Sequence, residues 1–240
     1  MENKVDLEIC VGGVHSALEA EAGGADRVEL CDNLVEGGTT PSAGMITVTR
    51  AAISITLHVI IRPRGGDYHY SPEEIQAMKH DIRVARELGA DGVVIGLLDT
   101  NNNLDIQTTR TLIELARPMS VTFHRAFDEV PDAEDALQQL MELGVNRLLT
   151  SGHAKNAFDG LEELSRLQDR SRGVVRIMPA AGIHAGNIAE ILRRSGVRDI
   201  HVGGAVRTRK GGVGMHGEQL SQTDRIKVRA LIDQMDCAVL

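Results

Sequence analysis

Along this chain short, mostly apolar runs alternate with longer stretches in which apolar residues recur at helical spacing, the pattern of strands followed by amphipathic helices. The spacing predicts strands at 5–11, 27–31, 58–62, 120–124 and 174–179. It predicts helices at 14–22, 42–52, 71–88, 106–116, 132–143, 161–170 and 187–194. The sharpest boundary falls at LHVIIRPRGGD, residues 57–67, where Val59, Ile60 and Ile61 favour a pleated backbone, Pro63 removes a ladder donor and Gly65-Gly66 permit a turn. With a period of two, His58, Ile60 and Arg62 share one face of that strand. Ser71-Pro72-Glu73-Glu74 then starts a helix, with a capping hydroxyl, proline at the first helical position and two acids on the dipole.

One word recurs at the joints: Gly24-Ala-Asp-Arg-Val-Glu-Leu, Gly89-Ala-Asp-Gly-Val-Val-Ile, Gly144-Val-Asn-Arg-Leu-Leu-Thr and Gly196-Val-Arg-Asp-Ile-His-Val. Glycine supplies a left-handed helix stop, a small apolar residue docks, a mostly polar residue turns, and a strand begins. These joints open the second, fourth, sixth and eighth strands, so eight strand–helix units follow in sequence. Sequential units with short connections give a parallel sheet with helices outside, and eight of them close it. The predicted fold is α/β: a (β/α)8 TIM barrel of eight parallel strands with an extra C-terminal helix at 221–234, one domain over 1–240. The rival, an open doubly wound sheet, would carry a GxGxxG fingerprint after its first strand, and Cys10-Val-Gly-Gly-Val-His15 lacks that spacing.

Composition narrows the function. Aromatic residues are 2% of the 240 and Trp is absent, so there is no platform for stacking bases and a nucleic-acid partner is disfavoured. A balance of 26 basic to 34 acidic residues, net −8, favours solubility without naming a partner. Cys10, Cys31 and Cys237 are too few for a disulfide framework and have no CxxC spacing, which fits a reducing cytoplasm. No signal-peptide core or membrane-length apolar run is present in the sequence, so neither secretion nor a membrane partner is expected.

Chemistry gathers at the carboxyl ends of the strands, where barrels place their ligands. The first strand ends Glu8-Ile9-Cys10 and the second Glu29-Leu30-Cys31, each presenting a carboxylate and then a thiol on one face. Superposing the four repeats sets Glu29 level with Val94, Leu149 and His201. The fifth strand adds Thr122 and His124, followed by Arg125 and Asp128. Glu8 and Glu29 are either structural, paired with Arg27, Arg62 or a lysine, or they serve a ligand, since an isolated buried charge would neutralise itself. The seventh and eighth strands end in small-residue loops around Gly182 and Gly203-Gly204, candidate anion-binding positions, with Arg207, Arg209 and Lys210 following. The same glycines also suit nothing more than tight turns.

The segments LEIC, GADRVELC, EGGTTPS, IIRPRGGDYHY, VTFHRAFD and LTSG span almost the whole chain and in combination resemble the CutC family, described as copper homeostasis proteins. The resemblance implies a cytoplasmic (β/α)8 barrel that often self-associates as a homo-oligomer, is linked to copper and has no firmly assigned reaction. The family's mouth residues fall here on Glu8, Glu29, Arg62, Arg64, Asp67, His124, Arg125 and Asp128, and its candidate thiols on Cys10 and Cys31. After His201 this chain departs from the pattern, because Val202-Gly203-Gly204 replaces a serine-containing run.

Two functions follow. Cys10 and Cys31 could hold Cu(I) as a soft thiolate pair, although buried cysteine also serves as a small hydrophobe. Alternatively the barrel is an isomerase- or lyase-type enzyme acting on a small anionic, phosphorylated or carboxylated metabolite. There Glu8 or Glu29 takes a proton, His124 donates or relays one, and Arg62 or Arg64 holds developing negative charge. A divalent ion held by the carboxylates with His124 or His201 ranks below the metal-free version, because no HxH or HExxH spacing supports it.

Overall fold

The computed structural model describes residues 4–213 and 219–239. Eight parallel strands alternate with helices: β1 (Asp6–Val11), α1 (Val14–Gly23), β2 (Arg27–Leu30), α2 (Ala43–Ala52), β3 (Thr56–Ile60), α3 (Pro72–Glu87), β4 (Gly92–Ile95) and α4 (Ile106–Ala116). Then follow β5 (Ser120–Phe123), α5 (Ala133–Leu143), β6 (Arg147–Thr150), α6 (Leu161–Ser171), β7 (Arg176–Pro179), α7 (Ile188–Ser195) and β8 (Asp199–Val202). Hydrogen-bonded neighbours run from β7 in descending order to β1 and on to β8, and β7 lies against β8, so the sheet is a nearly closed barrel. No helix among the described residues is long and apolar enough to cross a membrane.

The local signals act as their chemistry dictates. All four repeat glycines are left-handed, with φ of 99°, 83°, 79° and 70° at Gly24, Gly89, Gly144 and Gly196. Ser71 and Glu74 form a reciprocal capping box at the start of α3. Strand β3 ends before Ile61 because the Arg62 N–H turns away to the Thr40 hydroxyl, 2.9 Å, while the alternation of faces persists through Arg62.

The expectation of a helix from 221 is corrected. Residues after β8 form an antiparallel hairpin, β9 (Arg207–Val213) and β10 (Gln219–Thr223), and α8 (Arg225–Val239) starts four residues late. Asp224 accepts the Ile226 N–H at 2.9 Å and stops α8 from extending back, while the Thr223 N–H is drawn onto Ser16 of α1. Arg225 then clamps α8 to α1 through Glu19 at 2.5 Å.

Alternate strands fill the barrel in layers of four side chains. At the amino-terminal end Arg27, Arg147 and Asp199 meet with Gly92: Arg27 and Arg147 reach Asp199 at 2.7 and 3.2 Å, and Arg176 reaches it at 2.8 Å. Above them lie Glu8, His58, Thr122 and Met178, all buried. Gly92 makes room for this layer, since a Cβ there would enter the His58 ring and sit 2.9 Å from the Ser120 carbonyl. The next layer is Glu29, Val94, Leu149 and His201, the level read from the repeats, and Cys10, Ile60, His124 and Ala180 stand at the mouth.

Glu8 is tied at 2.5 Å to Arg27 and at 2.7 Å to the His201 Nδ1. Burial alone would favour its protonated form, but Arg27, then His201, outweigh it and hold the carboxyl well below its ordinary 4.5. Replacing Arg27 by Met leaves Glu8 and Asp199 buried without their shared cation, and a loss of about 3–5 kcal/mol is expected in urea denaturation. A carboxyl with a depressed native pKa contributes its full stability above the unfolded value near 4.5, and loses it as the pH falls toward the native value. The urea midpoint of the parent should therefore fall more steeply below that pH than the midpoint of Glu8→Gln.

Candidate active site at the barrel mouth

A cavity of about 730 Å³ opens at the carboxyl ends of the strands. Its floor is Glu29, His201 and Cys10, supplied by β2, β8 and β1. Two carboxylates thus stand one above the other in opposite environments. Glu8, fully buried below the cavity wall, is saturated by cations, whereas Glu29 faces the cavity with His201 Nε2 at 3.8 Å as its nearest cation. Burial, then the negative Cys10 sulfur and Glu8, push Glu29 up to about 8, against the pull of His201. Burial also works against a charged His201, yet hydrogen bonds to Cys10 and Glu8 keep it protonated well above 6.5.

Cys10 and Cys31 lie side by side with sulfurs 3.7 Å apart. The Cys31 thiol donating to it, with His201 and Arg207, holds Cys10 well below the usual thiol value despite burial. The neighbouring Cys10 sulfur and burial push Cys31 the other way. Their sulfurs and a Glu29 oxygen lie within 4.8 Å of one another. Glu8, Glu29 and His201 form a second such group, but Glu8 is already taken up by Arg27 and His201, so that set does not suit a divalent ion.

The β3–β5 wall carries Arg62, Tyr68 and His124. Arg62 is 4% exposed and its guanidinium donates only to the backbone carbonyls of Glu36, Gly38 and Gly66, with no carboxylate partner among the described residues. It ties the loop after β2 to the loop after β3 and leaves one positive charge uncompensated beside the cavity. His124 Nδ1 accepts the Ala126 N–H at 3.1 Å, and its ring lies against Tyr68, centroids 4.9 Å apart. Burial and the Arg62 charge lower His124 to about 3, so it is a neutral imidazole with its proton on Nε2. Arg125 pairs with Asp128 at 2.7 Å, and Asp128 also takes the Thr150 hydroxyl at 2.5 Å and the Ser151 N–H at 3.1 Å, stitching β5 to the loop after β6.

On the opposite side Gly182, Gly203 and Gly204 line the cavity. Arg207, the first residue of β9, reaches in beside them, with Nη2 3.4 Å from the Cys10 carbonyl and 3.5 Å from its sulfur. Arg209 is exposed on the hairpin, and the Lys210 side chain lies outside the described residues.

The cavity therefore gathers Cys10, Glu29, Arg62, His124, Arg125, Asp128 and the three glycines, while four expected residues stand elsewhere. Glu8 is sealed beneath the floor and Cys31 behind Cys10. Arg64 turns outward to Asp67 at 2.9 Å and Glu74 at 2.6 Å, and exposed Asp67 follows it, because Gly65 and Gly66 reverse the chain. The sequence pattern does not single out Tyr68, Glu129, His153 or His184, yet all four line the cavity. A signal existed for the two histidines: each closes a glycine turn at a strand's carboxyl end, Ser151-Gly152-His153 and Gly182-Ile183-His184.

Comparison with known proteins places this geometry. The CutC family model matches residues 5–206. A family protein CutC from Chromobacterium violaceum is 47% identical, over 97% of this chain and 98% of that protein. The human copper homeostasis protein cutC homolog is 47% identical, over 81% of this chain and 71% of that protein. The crystal structure of a copper homeostasis protein CutC from Streptococcus agalactiae superposes with a TM-score of 0.79 at 32% identity, covering 83% of this chain and 98% of that one. A thiamine phosphate pyrophosphorylase from Pyrococcus furiosus, at 18% identity, TM-score 0.64 and 98% coverage of both chains, shares the fold alone. The chain belongs to the CutC family.

Proposed function

We propose that this chain is an enzyme that binds a small anionic metabolite at the barrel mouth and moves a proton on it, with Glu29 as the acid–base group. The observation that carries this reading is the division between the two stacked carboxylates, one neutralised in place and the other facing the cavity without a bonded cation. Two titratable groups pushed apart by their surroundings are the usual arrangement for proton transfer near neutral pH. Glu29, protonated at rest, donates to a substrate oxygen or carbon and recovers a proton from the adjacent position, which is isomerase or lyase chemistry. Glu8 is a positioning residue here: it holds the charged His201 ring beside Glu29. Arg62 and Arg207, both without carboxylate partners among the described residues, supply the field that favours an anion. Three free thiols support a reducing, cytoplasmic setting.

A thermal-shift screen with phosphorylated and carboxylated metabolites tests the reading, and it fails if no compound of either class raises the melting temperature. Glu29 also makes a signed prediction. Unfolded, it ionises from about 4.5, whereas native it keeps its proton to about 8, so its contribution to stability declines as the pH rises through that window. Glu29→Gln should remove this decline and be more stable than the parent at alkaline pH by a few kcal/mol, on the order of 2–4, while losing about 10²–10⁴-fold in turnover of any substrate the screen identifies.

A second reading, Cu(I) binding, is favoured by the 3.7 Å separation of the Cys10 and Cys31 sulfurs. The two sulfurs and a Glu29 oxygen lie within 4.8 Å of one another, and soft thiolates suit monovalent copper. The human relative's name, copper homeostasis protein cutC homolog, points the same way. A competitive Cu(I) titration should give one bound ion in the parent and a loss of that ion in Cys10→Ser and Cys31→Ser. Unchanged stoichiometry and affinity in both variants would remove copper from the account.

A further inference from the structure

Building on the reading of the cavity as an anion site, the geometry points to a phosphate monoester as the anionic group, held between Arg207 of the β9–β10 hairpin and the Gly203-Gly204 turn after β8. Arg207 is half-buried, and among the described residues its guanidinium has only two long contacts, both on Cys10, which leaves most of its five N–H donors unspent there. The guanidinium lies against the Gly203 turn: a Cβ there would stand 3.5 Å from Arg207 Nη2 and 3.6 Å from the Cys10 Cβ, ordinary contact distances. Gly204 borders the cavity, and among the described residues nothing lies within 4 Å of the position a Cβ would take. Gly182, with φ of 69°, follows the left-handed Ala181 with φ of 74°, and both line the cavity in the neighbouring loop after β7.

The choice of phosphate follows from the number of donors. A carboxylate with two oxygens is satisfied by one guanidinium, whereas a tetrahedral phosphate presents three free oxygens and is met by a guanidinium together with backbone N–H groups on small-residue turns. The far wall cannot serve equally well, because the Arg62 head already donates to three backbone carbonyls. The near wall also sets the size of the molecule. Arg207 Nη2 is 3.5 Å from the Cys10 sulfur, and that sulfur is within 4.8 Å of a Glu29 oxygen. The phosphate and the atom that exchanges a proton with Glu29 therefore belong to one short carbon skeleton, the class of small sugar phosphates and related phosphorylated metabolites.

Inorganic phosphate is the probe, titrated into the full chain by calorimetry, with pyruvate as the carboxylate arm. Arg207→Met should weaken phosphate binding about ten- to a hundredfold, the effect of losing a charge-assisted contact, whereas Arg209→Met on the same strand should bind like the parent. Gly204→Ala is the second variant: its methyl meets no atom of the described residues, so the melting temperature should hold while phosphate affinity falls. The proposal is overturned if Arg207→Met and Gly204→Ala both bind phosphate like the parent, or if pyruvate binds and phosphate does not. In either case the cavity still takes a small anion and the reading above survives. If neither anion binds and no metabolite shifts the melting temperature, both fall together.

Discussion

Burial of the Glu8 carboxylate sets the terms for the rest of the interior. A charge with no solvent must be met by other charges, and Arg27 below and His201 above meet it at 2.5 and 2.7 Å. Arg27 in turn needs Asp199, which draws in Arg147 and Arg176. The barrel's lower half is thus an ion network, while the surrounding aliphatic shell of Leu, Ile and Val carries the hydrophobic stabilisation. Because His201 is fixed by this network, its Nε2 is presented to Glu29 from a rigid base. The arrangement at the cavity floor is a product of the structure beneath it.

The fold was legible because the signals for it are local. A glycine that must adopt positive φ, an Asp or Ser that caps a helix and an apolar run of strand length each act within a few residues, and the four repeated joints placed half the strands. The hairpin was not legible, since residues 207–223 have no long alternation of apolar and polar positions, and Thr223 is held by a partner far away in sequence, Ser16. The level of Glu29, Val94, Leu149 and His201 was readable because superposing repeats is equivalent to reading one layer of a barrel.

The site was legible in part, and the limit is physical. Alternation says which face a residue takes, but not how far up the barrel it sits. Glu8 and Glu29 share a face and a strand end in the sequence, yet one layer of height separates a saturated carboxylate from one that faces a cavity. Arg62 and Arg64 differ by two positions, but the Gly65-Gly66 turn sends one into loop carbonyls and the other out to Asp67 and Glu74. Tyr68, one residue past the motif's Asp67, packs on His124 from the same loop, a contact that requires the path of the turn to be known.

The family model ends at residue 206, and Arg207 is the next residue. One cation of the cavity is therefore carried by a hairpin appended to the closed ring and pinned to it through Ser16 of α1. Insertions, shortened tips or charge swaps in that hairpin would alter which molecules are admitted without disturbing a single strand of the cylinder. Diversification among relatives has a route here that does not pass through the core.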